Sequence, residues 1–334
     1  MEVFYASPWV PPEWIKAHGL EPHGIWLARD FACEPLPLAA GVCAFANAAV
    51  RLAKRQTDCA VVFTTHCDQL RRGFDAVPEA AQTRVFLFNL PATWRTPVAE
   101  RIYSDELRRL SRFLVGLGGQ APAASALIEI IRQYSQARQR LLEAAPWCPA
   151  RAYAEAVARF HLDGSVHLPP EAGGRPAPSA SSIPLALVGG PLPQSQMPLL
   201  DAIERAGGRV VLNATEAGER SLWPPFPLDE GRPGASERSV YAALLMQLAH
   251  GCLANCVDVF QRPNTRLYDW LRERLAARHV RGIVLWHYVG CDLWRAEAQP
   301  MREAFGLPVL LLDADEATPN RSTNRLEAFL ESLQ

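Results

Sequence analysis

Short apolar runs alternate with helix-compatible segments in the first part of the chain. The stretches CAVVFTT at 59–65 and RVFLFNL at 84–90 are rich in β-branched and aromatic residues. Such runs are typical of strands buried in a parallel sheet. The residues between them are polar and suit a helix. We therefore predict that this part of the chain forms an α/β layer.

From Ala99 onward the apolar residues recur at helical spacing, which predicts three helices in succession. The apolar face of the first contains Ile102, Tyr103, Leu107, Leu110 and Leu114. The second covers ASALIEIIRQYSQARQRLL at 124–142, with a face made of Ile128, Ile131, Tyr134 and Leu141. The third covers RAYAEAVARF at 151–160. The segment after it, 163–182, is rich in glycine, proline and serine, which indicates a linker or a long surface loop.

A second alternation of strands and helices follows. The predicted strands are IPLALVGG at 183–190, RVVLNA at 209–214, RGIVLWHYV at 281–289 and PVLLLDAD at 308–315. The predicted helices cover 197–208, 238–250, 265–279, 293–306 and 322–333. Alternation of this kind implies parallel sheets covered by helices. We predict an N-terminal α/β domain with a helical segment over 1–162, a linker over 163–182 and a C-terminal α/β domain over 183–334.

Composition and charge narrow the class of protein. The chain has 334 residues, 49% of them hydrophobic, which suffices for two domains with sizeable cores. Its net charge of −1 gives no basic field for nucleic acid or for anionic lipid. The first residues, MEVFYASPWVPPEW, lack the basic and apolar regions of a signal peptide, and no apolar run is long enough to span a membrane. We expect a soluble, cytoplasmic protein.

One motif occurs twice. The sequence CDQLR lies at 67–71 and CDLWR at 291–295, and each follows an apolar run predicted to be a strand. Ligands of open α/β sheets bind beyond the carboxyl ends of the strands. If the two domains face each other across a cleft, Cys67 and Cys291 are predicted to meet there and to share one ligand.

Separated cysteines at strand ends suit a soft-metal site assembled in three dimensions. Thiolate sulfur favours iron–sulfur clusters, zinc or copper(I). The best third candidate is Cys43 in GVCAFANAAVRLAKR, because it begins a predicted helix whose N-terminal dipole stabilises a thiolate. The alternative is that each cysteine is a small buried hydrophobic residue, the commonest fate of a free thiol.

The other candidate residues carry weaker signals. Cys59 lies inside a predicted strand, and Cys252 and Cys256 lie one helical turn apart, where they either bind a metal or pack in the core. Cys148 has no evident partner, and Cys33 remains open as a further ligand. His66 and His287 are either ligands or acid–base groups, or hydrogen-bonded structural residues. Asp68 and Asp292 are expected to cap the helices that follow them.

Several segments together resemble the D-component family of 2-hydroxyacyl-CoA dehydratases, which also includes the cluster-bearing subunits of ATP-dependent benzoyl-CoA reductase. VPPEWIKAHGLEP is similar to the family's opening pattern, and VVFTTHCDQLRR to its hV-x-x-x-x-C-D-x-x-R segment. The segments GVCAFANAAV and HYVGCDLW resemble its other two cysteine segments. LALVGGPLP, LLDAIERAGGRVVLN and PVLLLDAD resemble the beginning and the end of its second domain.

The resemblance implies a cofactor, a fold and partners. It implies that Cys43, Cys67 and Cys291 hold a [4Fe–4S] cluster in a cleft between two Rossmann-like domains. The fourth iron position stays open between water, substrate, Ser7 and Cys33. It further implies pairing with a homologous cluster-bearing subunit and electrons from a separate ATP-hydrolysing iron–sulfur activator. The sequence contains no GxxxxGK[ST] motif, which agrees with ATP hydrolysis on another chain.

The function implied by this resemblance is the transfer of single electrons to an acyl-CoA thioester. Positive charge comes almost wholly from arginine, since lysine occurs only at Lys16 and Lys54. That composition favours a benzoyl-CoA-reductase-like enzyme, and a subunit of a 2-hydroxyacyl-CoA dehydratase is the alternative. Two other classes stay open, namely an electron-relay subunit and a small-molecule-binding protein without a cluster.

Overall fold

The computed structural model describes residues 1–27, 42–55, 58–94, 96–169, 182–226, 228–229, 234–314 and 319–334. Within these ranges, eight strands form two four-stranded sheets. They are β1 Glu2–Tyr5, β2 Glu21–Gly24, β3 Cys59–Thr64, β4 Val85–Phe88, β5 Ile183–Gly189, β6 Gly208–Ala214, β7 Gly282–His287 and β8 Val309–Asp313. All the strand pairs are parallel. The predicted α/β class with two parallel sheets is confirmed.

The two sheets have the same topology. The strand order is β2-β1-β3-β4 in the first and β6-β5-β7-β8 in the second. In each sheet, therefore, the first and third strands in chain order are neighbours, and the order reverses between them. The third strands, β3 and β7, are buried along their whole length, as their continuous apolar sequences predict.

The described part of the chain also contains twelve α-helices. They are α1 Pro12–Ala17, α2 Ala44–Arg55, α3 Asp68–Asp75, α4 Pro97–Gly116, α5 Ala124–Ala144, α6 Ala150–Asp163, α7 Pro198–Arg205, α8 Glu237–Asn255, α9 Thr265–Ala277, α10 Asp292–Ala296, α11 Ala298–Phe305 and α12 Pro319–Glu331. Side-chain caps begin two of the long helices, because Thr96 accepts from the Ala99 amide and Ser236 from the Ser239 amide. None of the helices in the described ranges is both long and apolar enough to cross a membrane.

The three predicted central helices are α4, α5 and α6. Four of the five residues assigned to the apolar face of α4 are fully buried, whereas Ile102 is 45% exposed. The prediction for Ile102 was wrong because it lies beside the buried stripe that begins at Tyr103. A continuous apolar core links Val61 of β3 with Leu110 of α4, Leu248 of α8 and Leu187 of β5. The helical segment therefore packs on both sheets.

The helix predicted over 293–306 is two helices, α10 and α11. The break falls at Glu297, three residues before Pro300. Proline lacks the amide that would bond to the carbonyl four residues earlier, so a continuous helix would lose that bond. The Glu297 carboxylate instead accepts hydrogen bonds from Asn264 and Tyr268. The proline was visible in the sequence, but its effect was not predicted.

The predicted linker begins at the last residue of α6. Asp163 is still helical, and Gly164 follows with a left-handed φ of 75° that ends the helix. Residues 170–181 of the predicted linker lie outside the described residues. Strand β5 begins at Ile183, the first residue predicted for the C-terminal domain.

A buried histidine joins α6 to the first sheet and predicts a pH dependence of stability. His161 Nδ1 lies 2.7 Å from the Tyr5 hydroxyl, and Nε2 lies 2.9 Å from the Ser221 hydroxyl. Burial, with a further contribution from Arg138, lowers the pKa of His161 to about 3. Below pH 6.5 the unfolded chain therefore binds a proton that the folded protein excludes. The free energy of unfolding should fall by about 1.4 kcal/mol per pH unit as the pH drops from 6.5 towards 3.

Urea unfolding at pH 7 and pH 5 measures this effect. Between these pH values His161 should cost the wild type about 2 kcal/mol, and His161→Gln should remove that part of the difference. His167 is exposed, so His167→Gln is the matched control and should leave the difference unchanged. Equal pH dependence in wild type and His161→Gln would show that the folded protein accepts the proton.

Candidate functional site

Three cysteines from distant parts of the chain line one cavity. Cys43 and Cys67 come from the first half, and Cys291 comes from the second. The cavity has a volume of about 40 Å³. Much of the remaining wall is apolar. It includes Phe45 from the first half of the chain and Trp294 from the second. The site is thus built by both halves together.

Cys67 and Cys291 occupy equivalent corners of the two sheets. Cys67 follows β3 and is the N-cap of α3, while Cys291 follows β7 and is the N-cap of α10. Both corners lie where the strand order reverses, the place at which open α/β sheets bind ligands. The repeated Cys-Asp-x-x-Arg motif is therefore the same sheet corner formed twice.

The aspartates of these corners do not cap the helices, contrary to the prediction. Asp68 and Asp292 are the first helical residues, and the preceding cysteine takes the N-cap position. A carboxylate in the first turn still interacts favourably with the helix dipole. Asp68 Oδ1 also lies 3.2 Å from Arg71 Nη2, and both side chains are exposed. In the first corner, the aspartate and arginine thus form a helix-surface pair away from the cavity.

Cys43 lies directly before α2, and hydrogen bonds to its sulfur and from its backbone amide hold it there. Its sulfur accepts from the Ala46 amide at 3.4 Å, as an N-cap side chain does. Its own amide donates to Gln69 Oε1 at 2.7 Å. A Cβ added at Gly290 would lie 3.9 Å from the same Gln69 oxygen. The Gln69 amide therefore lies among all three cysteine segments, a role that nothing in the sequence indicated.

The three thiols influence one another electrostatically. Burial raises the pKa of Cys67, while the backbone amides of Leu70 and Gln69 partly oppose this by favouring the thiolate. Burial also raises the pKa of Cys291, and negative charge on Cys67 and Cys43 raises it further. Without a nearby cation, burial therefore favours the protonated thiols of Cys67 and Cys291. A metal group must displace those protons when it binds.

The two histidines have different places. His66 lines the cavity, and its Nδ1 lies 2.6 Å from the Thr64 hydroxyl. Burial lowers the pKa of His66, so the ring is neutral. His287 lies outside the cavity lining, with Nε2 2.8 Å from Asp313 Oδ1. His287 therefore connects β7 with β8, which is the structural alternative of the sequence analysis.

A family model described as 2-hydroxyglutaryl-CoA dehydratase, D-component, matches residues 9–333. The chain belongs to this D-component family. None of the curated protein sequences matches it. Members of the D-component family are parts of dehydratase enzyme systems and generally bind a [4Fe–4S] cluster. The family resemblance seen in the cysteine segments and in the segments around them is confirmed for nearly the whole chain.

The cysteines of the cavity are compatible with the ligand set of a D-component cluster. Within the described ranges, no three side chains of His, Cys, Asp or Glu come close enough together to hold one ion. A [4Fe–4S] cluster binds each cysteine at a different iron atom. Its ligands therefore surround a volume and need not converge on a point. Three thiols spread around one cavity, each at the beginning of a helix, fit this requirement.

The remaining cysteines lie elsewhere in the D-component fold. Cys59 is buried in β3. Cys252 and Cys256 are buried with their sulfurs 3.7 Å apart, and the Tyr103 hydroxyl donates to Cys252. Ser7 is buried after β1, where it accepts from the Trp9 amide, outside the residues that line the cavity. Cys33 lies outside the described residues.

Charged residues of the cavity were missed by the sequence analysis. Glu216 and Asp258 line it together with the cysteines. Glu216 lies in the segment NATEAGERS, directly after a predicted strand. Acidic and basic residues close together at a strand end could have indicated a buried ion pair near the site, because buried charges need partners.

Proposed function

We propose that Cys43, Cys67 and Cys291 hold a [4Fe–4S] cluster and that the chain is the cluster-bearing subunit of an enzyme acting on acyl-CoA thioesters. The observation that carries this proposal is the meeting of three cysteines from both halves in one cavity at the sheet corners. Family membership supports it, since the family works with an activator component and acyl-CoA substrates. The cluster, when bound, supplies single electrons at low potential.

The protein's own residues prepare the surroundings of this chemistry. The apolar walls of the cavity exclude water, which strengthens electrostatic interactions inside it. Tyr288 contributes its ring to the wall, because its hydroxyl is tied to the Pro191 carbonyl at 3.2 Å. The backbone amides of the helix first turns face the sulfurs and favour negative charge on them. The site can thus hold anionic ligands in a dry environment.

A second cavity suits the nucleotide end of a CoA thioester. Its volume is about 400 Å³, and its lining includes Val257, the residue before Asp258 of the cysteine cavity. The guanidinium of Arg266 stacks over Trp94 at 4.0 Å, and that of Arg274 over Trp270 at 4.2 Å. Stacked indole and guanidinium groups can bind a planar base and a phosphate. Acidic residues also line this cavity. We propose no ligand for it other than the acyl-CoA whose thioester lies at the cysteines.

Two reaction types are compatible with this site. The family match supports the loss of water from a 2-hydroxyacyl-CoA, whereas the arginine-rich composition favours reduction of an aromatic acyl-CoA. Both begin with an electron passed to a thioester and both require a separate activator. Product analysis with a 2-hydroxyacyl-CoA and with benzoyl-CoA distinguishes them. The assay uses the complex with a homologous subunit and an ATP-hydrolysing activator, which we propose as partners.

Substrate binding beside the cysteines should be visible by EPR spectroscopy. Three cysteines leave one iron without a cysteine ligand, so an acyl-CoA bound there should change the EPR signal of this chain's reduced cluster. Cys33→Ala should leave the iron content unchanged. An electron-relay subunit would behave in the opposite way. Its cluster would be lost in Cys33→Ala, and acyl-CoA would leave its spectrum unaltered.

A further inference from the structure

A buried arginine lies next to the cysteine cavity with all its hydrogen-bonding capacity used. Arg220 is 4% exposed. A guanidinium has five N–H groups, and here each has an acceptor. The acceptors are the carbonyls of Ala214, Gly189 and Val257 and the carboxylates of Glu216 and Asp258. The guanidinium is therefore fixed and has no donor left for a ligand.

Two buried carboxyl groups share this one guanidinium. Asp258 Oδ2 lies 2.6 Å from Arg220 Nη1, and Oδ1 accepts from the Phe260 amide at 2.8 Å. Glu216 Oε1 lies 2.5 Å from Arg220 Nη2. Glu216 Oε2 is inaccessible to solvent and has no hydrogen-bond partner among the described residues. Asp258 is thus satisfied at both oxygens, and Glu216 at only one.

The charges of this group do not balance if both carboxyls are ionised. One guanidinium and two carboxylates leave one uncompensated negative charge in a buried place, which is costly. Burial raises the pKa of Glu216, the charge on Asp258 adds to this, and Arg220 opposes it. A proton on the unpartnered Oε2 removes the excess charge. It also converts an unsatisfied acceptor into a hydrogen-bond donor.

Glu216 lies where such a donor can contact a bound substrate. Glu216 follows β6 and lines the same cavity as Cys67 and Cys291. We propose that Glu216, anchored through Oε1 on Arg220, donates a hydrogen bond from Oε2 to the thioester oxygen of the bound acyl-CoA. This inference rests on the proposed function and adds a substrate-binding residue to it. A fixed donor at that oxygen stabilises the negative charge that develops there during reduction.

Infrared spectroscopy tests the proton on Glu216 independently of substrate and cluster. The wild-type complex at pH 7 should show the carbonyl-stretching band of a buried protonated carboxyl, and Glu216→Gln should lack it. Glu219 is the matched control, because it is buried and paired with Arg278 at 2.5 and 2.7 Å. Glu219→Gln should retain the band. A wild-type spectrum without this band would overturn the inference.

Equilibrium binding and labelled substrate test the contact itself. Glu216→Leu should weaken acyl-CoA binding about tenfold, as expected for one lost hydrogen bond to a buried partner. In the wild type, binding should shift the infrared carbonyl band of an acyl-CoA labelled with carbon-13 at the thioester. Glu216→Leu should abolish this shift. Glu216→Gln keeps a donor and should retain affinity within a few-fold, and Glu219→Gln should bind like wild type.

Three outcomes separate this inference from the proposed function. Unchanged affinity and an unchanged band shift in Glu216→Leu would overturn the role of Glu216 alone. Wild-type protein that holds its cluster but binds no acyl-CoA would overturn the role of Glu216 and the substrate assignment together. Loss of iron in Glu216→Gln would overturn the role as a substrate donor, because it would make the residue part of the cluster site.

Discussion

Replacing Cys67 by serine should remove the iron from this protein. Purified without oxygen, the wild type should be brown and contain about four irons and four sulfides per chain. Iron content should fall to nearly none in each of the variants Cys67→Ser, Cys291→Ala and Cys43→Ala. Among the described residues the cavity contains only these three thiols, so the loss of one leaves two ligands. Burial raises the pKa of Cys67 and of Cys291 and so opposes their deprotonation, and a cluster that has lost one thiolate ligand binds too weakly to overcome this cost.

Iron and sulfide analysis with absorption spectra measures this effect. The matched control is Cys59→Ala, because Cys59 is buried in β3, the strand that leads to Cys67, but lies outside the cavity lining. This variant should keep its iron. Circular dichroism would show that all four variants fold. A colourless, iron-free wild type from anaerobic cells would refute the cluster, and full iron content in Cys291→Ala would refute the ligand assignment.

Replacing Arg138 by leucine should destabilise the fold by about 3–5 kcal/mol, the range for breaking a buried ion pair. Arg138 of α5 pairs with Glu13 of α1, and neither side chain is exposed to solvent. The guanidinium carbon lies 3.4 Å from the centre of the Trp223 ring. Among the described residues, Glu13 Oε2 has no further partner. Without Arg138 the Glu13 carboxylate would be buried and unpaired.

The double variant Glu13→Leu/Arg138→Leu distinguishes pairing from packing. Two apolar side chains remove the buried charges together, so most of the lost stability should return. The urea midpoints of wild type, both single variants and the double variant give the coupling between the two residues. Additive losses in the double variant would contradict the ion-pair explanation, and the Trp223 contact would then account for the effect.

The apolar pattern alone determined most of the secondary structure. Continuous runs such as 59–65 and 281–289 predicted the buried strands β3 and β7, because a strand covered on both faces needs no polar alternation. Helical periodicity predicted α4, α5 and α6. The short strands β1 and β2 were not predicted. EPHG of β2 has no strand preference of its own, and its conformation depends on pairing with β1.

The cysteine motifs also indicated where the candidate site lies. A repeated motif after two predicted strands placed Cys67 and Cys291 at sheet corners, because ligands bind where parallel strands end. The sequence could not show that both sheets have the same strand order, since strand order depends on contacts between distant segments. That shared order makes the two corners equivalent and brings them to one cavity with Cys43.

The tertiary structure alone decided that Gln69, Glu216 and Asp258 share the cavity with the cysteines. Gln69 lies among the cysteine segments because its amide accepts from Cys43 across a separation of 26 residues. Glu216 and Asp258 meet at Arg220 only when the turn after β6 packs against the chain beyond α8. Hydrogen bonds and burial of this kind are set by distance in space. The sequence determined the buried strands, most of the long helices and the candidate thiols, and the packing of the two sheets determined their shared surroundings.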